Sequence, residues 1–316
     1  METFCGGNKG SVSFYARVLV AIGISLALAA IPALAGDYED GVKFYNSKDY
    51  ARAISSFRKA AANELAAAQS ILGVMYYEGR GVAKDYKQAL FWYEKAAAQG
   101  VAEAQGALGV MYDEGTGAAQ NYKQAKFWYE KAAAQGHAGA QNNLGVMYDE
   151  GKGVGQDYKR AMTWYKKAAM QGYAPAQASV GVMYDKGQGV AKDYREAISW
   201  YTKAAVQGYA TGQSNLGTMY ELGTGVLQDY QQAISWYSKA AAQGYPPAQF
   251  NLGIVYAKGQ GVAPDYVEAH KWLSLAATNG YNAVGKSREI IERKMTRTQI
   301  AEAQRRASEW LKTHGK

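Results

Sequence analysis

Cysteine is almost absent from this chain. The one thiol, Cys5, precedes every other feature, so residues 36–316 hold no disulfide framework and no cysteine-ligated metal. Histidine is nearly as scarce: His137, His270 and His314 stand far apart and at unrelated positions, which argues against a histidine metal site. Gly-x-Ser-x-Gly, His-Glu-x-x-His and a cysteine nucleophile are all missing. The sequence therefore offers no catalytic residue, no cofactor site and no metal site. A charged binding stripe is missing too. The net charge is +8, but nine Lys or Arg against four acids lie from Ala283 onward, and Lys9 and Arg17 face only Glu2 before residue 36. The segment between is nearly balanced. A nucleic-acid binder carries its positive charge along the binding face, so nucleic acid is not expected among the partners.

What is present is a period of 36 residues. Trp-Tyr recurs at Trp92, Trp128, Trp164, Trp200 and Trp236, and a sixth copy keeps Trp272 with Leu273 after it. Gln-Gly closes the copies at Gln99, Gln135, Gln171, Gln207 and Gln243, with Asn279-Gly280 last. No copy is long enough to bury a core alone, so the copies must stack, and the repeat is the fold.

Four segments follow. Residues 1–35 read as a signal segment. Lys9 and Arg17 precede the apolar run Val18 to Ala30, and Ala33-Leu34-Ala35 before Gly36 fits small-x-small cleavage. An uncleaved anchor competes, since Val18 to Ala35 approaches the roughly 18 apolar residues that span a bilayer; Pro32 and the Ala-Leu-Ala-Gly ending favour cleavage. A membrane is thus a partner only through this segment, and only if it stays attached. Residues 36–63 form a shortened copy, a tetratricopeptide-like helix pair capping the N-terminal end. Six full copies occupy 66–282, and residues 283–313 supply one or two helices that seal the other end, with Thr296 or Thr298 as a cap.

In the copy from Ala102 to His137, Ala104, Leu108, Val110, Met111 and Tyr112 fall at helical spacing, and Gly115-Thr116-Gly117 ends that helix. Asn121, where other copies have Asp85, Asp157, Asp193, Asp229 and Asp265, caps a second helix with Tyr122, Ala125, Trp128, Tyr129 and Ala132-Ala133 on its apolar face. Gln135-Gly136 closes it. The fold class is therefore all-α, in antiparallel helix pairs. A glycine inside every first helix (Gly73, Gly109, Gly145, Gly181, Gly217, Gly253) costs about 0.5–1 kcal/mol against alanine, and the expected compensation is close approach of the next helix, under an aromatic ring. The tryptophan column is expected to be inter-repeat core rather than a ladder for bases or sugars. The Gly-x-Gly segments follow helices and lack Lys-Ser/Thr, so they are turns rather than phosphate loops.

Two columns vary between copies. Asp113, Asp149, Asp185 and Glu221 end the first helices, and Ala257 replaces them in the last copy; they are either a solvated turn, the favoured reading, or an acidic stripe. Asn143, Asn215 and Asn251, with Ser179 in one copy, precede the Leu-Gly pair; they either bond across helices or line a concave wall that holds a peptide backbone. These seven residues are the candidate partner-binding set.

Ala140, Leu144-Gly145, Tyr148, Gly151, Gly153-Val154, Asp157, Ala161, Trp164-Tyr165, Lys167-Ala168-Ala169 and Gly172 carry a pattern that resembles the Sel1-like repeat, a relative of the tetratricopeptide repeat. The resemblance implies a right-handed α/α superhelical solenoid that serves as a scaffold or adaptor for a protein or peptide partner, bound on its concave face, without intrinsic catalysis. An exported chain of this kind, in the bacterial periplasm or secreted, would serve envelope assembly, polysaccharide machinery or host contact. One alternative is an envelope enzyme acting on peptidoglycan or β-lactams, although the cysteine pairs of relatives linked to that activity are absent. Another is a glycan-binding module for an envelope glycan.

Overall fold

In the computed structural model, residues 32–314 are described. The expected targeting segment, up to residue 31, lies outside them. Every element among the described residues is helical, and the chain divides into two compact units, one ending at Asp157 and one starting at Tyr158. The first holds α1 (Pro32–Asn46), α2 (Tyr50–Ala62), α3 (Ala66–Glu78), α4 (Tyr86–Ala98), α5 (Ala102–Glu114), α6 (Tyr122–Ala134) and α7 (Ala138–Glu150). The second holds α8 (Tyr158–Met170), α9 (Ala174–Lys186), α10 (Tyr194–Val206), α11 (Ala210–Leu222), α12 (Tyr230–Ala242), α13 (Pro246–Lys258), α14 (Tyr266–Thr278), a 3-10 turn (Asn282–Val284), α15 (Gly285–Glu292) and α16 (Arg297–His314). Within each unit sequential helices pack on one another, and α16 returns onto α14. Each unit is an α/α solenoid of stacked helix pairs, as the repeat requires.

Local chemistry sets the helix ends. The Asn121 side chain accepts from the backbone N–H of Lys123 and Gln124, and Asp85, Asp193, Asp229 and Asp265 cap their helices in the same way. Each first helix ends on a left-handed glycine; Gly115, at φ 73°, sends its N–H to the Met111 carbonyl. The second glycine of that turn is needed for a different reason. A side-chain carbon on Gly117 would lie 2.5 Å from the Tyr86 carbonyl oxygen of the preceding repeat. The turn is a packing element.

The core corrects one expectation. The residues sealed between helices are Tyr93, Tyr129, Tyr165, Tyr201 and Tyr237, each at most 2% exposed, whereas the tryptophan before each of them is only half-buried. One step along a helix turns a side chain by about 100°, so only one of the pair can point straight at the neighbouring helix. The tyrosine does. Its ring lies over the first-helix glycine: a side-chain carbon on Gly73, Gly181 or Gly217 would stand 2.6, 2.6 or 2.8 Å from a tyrosine ring atom. In the last copy Leu273 takes over, 2.9 Å from that point on Gly253.

Candidate functional site

The two variable columns meet at the buried tyrosine. The Tyr129 hydroxyl donates to Asp113 Oδ2 at 3.5 Å and is hydrogen-bonded to Asn143 of the next repeat. Tyr237 donates to Glu221 Oε2 at 2.6 Å, lies 3.0 Å from Thr218 Oγ1 and is hydrogen-bonded to Asn251. Tyr201 bonds Asp185. Asn215 and Asp149 hold the equivalent positions on α11 and α7, both half-buried. Burial raises the Asp113 and Asp185 carboxyls above their ordinary range; Lys152 opposes it at Asp113 and Lys192 at Asp185. Burial also raises the tyrosine hydroxyls, which stay protonated as donors.

The copies that break the column show what it does. At the tyrosine of the first full repeat, Tyr77 stands in the acid's place and Ala107 of the next repeat in the asparagine's, and the buried Tyr93 hydroxyl has no hydrogen-bond partner. In the last repeat Leu273 has no hydroxyl, and Ala257 replaces the acid. In the capping pair Phe57 fills the tyrosine site, and the asparagine position is Ile71. Where acid and asparagine are both missing a hydroxyl is left unpaired, and where the hydroxyl is missing the acid is gone too, so the columns serve that group where they occur. Their variation follows from packing.

Sequence reasoning passed over a second polar column, the glutamine four places into each repeat. Gln105 Nε2 donates to the Ala97 carbonyl of the preceding repeat at 3.2 Å, while its Oε1 accepts from Gln135, the residue closing its own repeat, at 2.8 Å. Gln69 with Gln99, Gln213 with Gln243 and Gln249 with Asn279 repeat the second bond. Its signal was available, because glutamine is invariant there in all six copies and a buried amide must be paired.

The outward side of the second helices differs along the chain. Lysine three residues on covers the tryptophan ring at 4.1 Å for Trp164, 3.8 Å for Trp200 and 3.9 Å for Trp236. On α4 and α6 the residue before the tryptophan is Phe91 or Phe127, 44% and 47% exposed, where Thr163, Ser199 and Ser235 stand further on. Each phenylalanine meets its tryptophan edge-on, at 5.0 and 4.9 Å between ring centres.

The histidines serve structure. His137 Nδ1 accepts from the Ala140 N–H at the start of α7, with its ring above Gly106. His270, 2% exposed, places Nε2 2.8 Å from Glu292 Oε1 and Nδ1 3.4 Å from Ser274 Oγ, which ties α15 to the last repeat. His314 stacks on Trp310, which packs on Trp272. Arg306 bridges Glu268 of α14 and Glu302 of α16, each at 2.8 Å, and Thr296 with Gln299 forms a reciprocal cap at the start of α16. No helix among the described residues is long and apolar enough to cross a membrane.

The Sel1 repeat family model matches six consecutive segments, 66–101, 102–137, 138–173, 174–209, 210–245 and 246–281. Among solved structures, the chain is similar to a Sel1 repeat protein from Oxalobacter formigenes, at 36% identity and a TM-score of 0.72, covering 76% of this chain and 96% of that one. It is also similar to a protective antigen present in uropathogenic Escherichia coli strains that displays an SLR fold, at 29% identity and a TM-score of 0.50, covering 89% of this chain and 84% of that one. No curated protein matches the chain.

Proposed function

The chain belongs to the Sel1 repeat family, and from that premise we propose that it is an exported, non-enzymatic scaffold that holds a protein partner in the bacterial envelope or outside the cell. Repeat scaffolds of this fold generally mediate protein–protein interaction. The observation that carries the reading is the division of labour within a repeat. Glycine, tyrosine and glutamine are committed to stacking, and what varies freely lies on exposed surface. The face carrying the first helices is the contact expected for a partner. Asp113, Asn143, Asp185, Glu221 and Asn251 are tied to the stacking tyrosines, so the contact falls to the other exposed residues of the first helices.

The setting rests on the basic-then-apolar N-terminal segment, and the similarity to a protective antigen adds weight to host contact. The test is photo-crosslinking of the purified full chain in envelope extract, with the photoreactive residue at Ala107 on the first-helix face. One protein recovered reproducibly supports the scaffold. Turnover of nitrocefin or of peptidoglycan fragments, abolished by a single side-chain change, would replace it with an enzyme.

A further inference from the structure

Each repeat provides an internal control for the others, because a residue that stacking requires must recur. The second helices of the first two full repeats fail that control on their exposed side. Lys87, Phe91 and Lys95 lie four residues apart on α4, hence along one line of the helix, and Lys123, Phe127 and Lys131 make the same line on α6. The equivalent line on α10 is Arg195, Ser199 and Lys203. The fold therefore stacks with serine at this position, and both phenylalanines stay nearly half exposed. Large apolar side chains kept in water at a place the fold does not need mark an interaction surface.

The chemistry of the two lines selects the partner. Their four ammonium groups form no ion pair among the described residues, whereas the neighbouring carboxylates are engaged, Glu94 with the Tyr112 hydroxyl at 3.1 Å and Glu130 with Lys126 at 2.6 Å. The lines are thus positive and apolar together. A sugar ring would need an open aromatic face. Here Lys95 and Lys131 sit over the Phe91 and Phe127 faces at 5.0 and 5.6 Å, and each phenylalanine meets its tryptophan edge-on at 78° or 77°, so neither ring offers an open platform. A half-exposed phenylalanine gives apolar contact to one side chain, and the lysines on either side of it attract carboxylates.

We propose that the paired lines on α4 and α6, with Trp92 and Trp128 beside them, dock an acidic peptide segment of a partner protein through an apolar anchor. This surface is separate from the first-helix face, and it rests on the scaffold reading only in that the occupant is a protein.

The experiment displays short peptides rich in Asp and Glu around a single Leu, Phe or Trp to the full chain, then measures the selected peptides by fluorescence anisotropy. Selected peptides should bind more weakly as ionic strength rises. The double variant Phe91→Ser with Phe127→Ser should weaken them by about ten-fold or more, with an unchanged melting temperature, since serine already occupies this position in later repeats. Should that variant melt early, Lys95→Glu with Lys131→Glu gives the same readout by charge reversal. Failure to select any such peptide would overturn the proposal. So would binding that survives both double variants, or polygalacturonate bound through these lines while the peptides are not. A partner crosslinked at the first-helix face while no acidic peptide binds the α4 and α6 lines would leave the scaffold reading standing and this one refuted.

Discussion

The second helices α4 and α6 match α10 and α12 in length, in their Asx cap and in their buried tyrosine, yet both differ from them on the outside and α4 differs on the inside as well. On the outside, Phe91 and Phe127 stand against Ser199 and Ser235. On the inside, Tyr93 has a buried hydroxyl with no partner, while Tyr201 and Tyr237 are held by Asp185 and Glu221. The two differences have different causes. The inner one follows a rule that links three positions in space, so a change at one carries a cost at another. The outer one is matched by no change at its contacts, since the tryptophan and the lysine beside the phenylalanine recur where serine replaces it. Variation between copies identifies function only after the linked kind has been set aside.

The largest effect that can break this comparison comes from the glycine beneath the tyrosine. Gly217→Ala should cost about 2–3 kcal/mol in urea unfolding, because a methyl group there would sit 2.8 Å from the Tyr237 ring. Gly285→Ala, where a side-chain carbon meets nothing within 4 Å, should be neutral or stabilise by about 0.5–1 kcal/mol. Equal effects would mean that the first-helix glycines are not held by contact.

Next in size is the glutamine column. Gln105→Leu keeps the volume but takes one of two hydrogen bonds from the Ala97 carbonyl and one from the Gln135 amide, both of which keep a bond to Gly100, at about 1–2 kcal/mol. A loss of a few tenths would show that water replaces both bonds.

The smallest effect is a pH dependence confined to one repeat junction. Burial lowers the His137 pKa from 6.5, so the folded chain binds fewer protons than the unfolded chain just below that value. Stability should then fall as pH drops through 6.5 and level off below the folded-state pKa. Protonation also removes the cap that Nδ1 gives to the Ala140 N–H. Glu103 opposes the shift. Asp113, whose pKa is raised, titrates lower and with the opposite sign, favouring the folded state as it protonates. His137→Tyr, the residue of this position in later repeats, should flatten the urea midpoint between neutral pH and about pH 5.

Much of this was legible in the residues. The period, the Asx caps, the terminating glycines and the all-helical pairing follow from spacing and turn chemistry that act within one repeat. The close approach at the inner glycines was legible as well, but its partner was not. Trp-Tyr presents two large rings, and a helical pattern alone does not say which of two adjacent residues faces the neighbouring helix. The glutamine column was present six times and passed over, because an invariant polar residue following an alanine or glycine looks like helix surface until its partner 30 residues on is known. The acid and asparagine columns read as two independent surfaces because their meeting point, a hydroxyl donated from a third position, exists only once the repeats are stacked.

The central claim is that the acid and the asparagine are there for the tyrosine hydroxyl. It is tested most directly by unfolding Tyr93→Phe and Tyr237→Phe side by side. Removing the Tyr93 hydroxyl relieves a buried, unpaired group and should leave stability unchanged or raise it by about 1 kcal/mol, whereas removing that of Tyr237 strands the Glu221 carboxylate and should cost about 1–2 kcal/mol. Opposite signs are what this account requires. Equal losses at the two sites would contradict it, and would return both columns to the surface as free candidates for a partner.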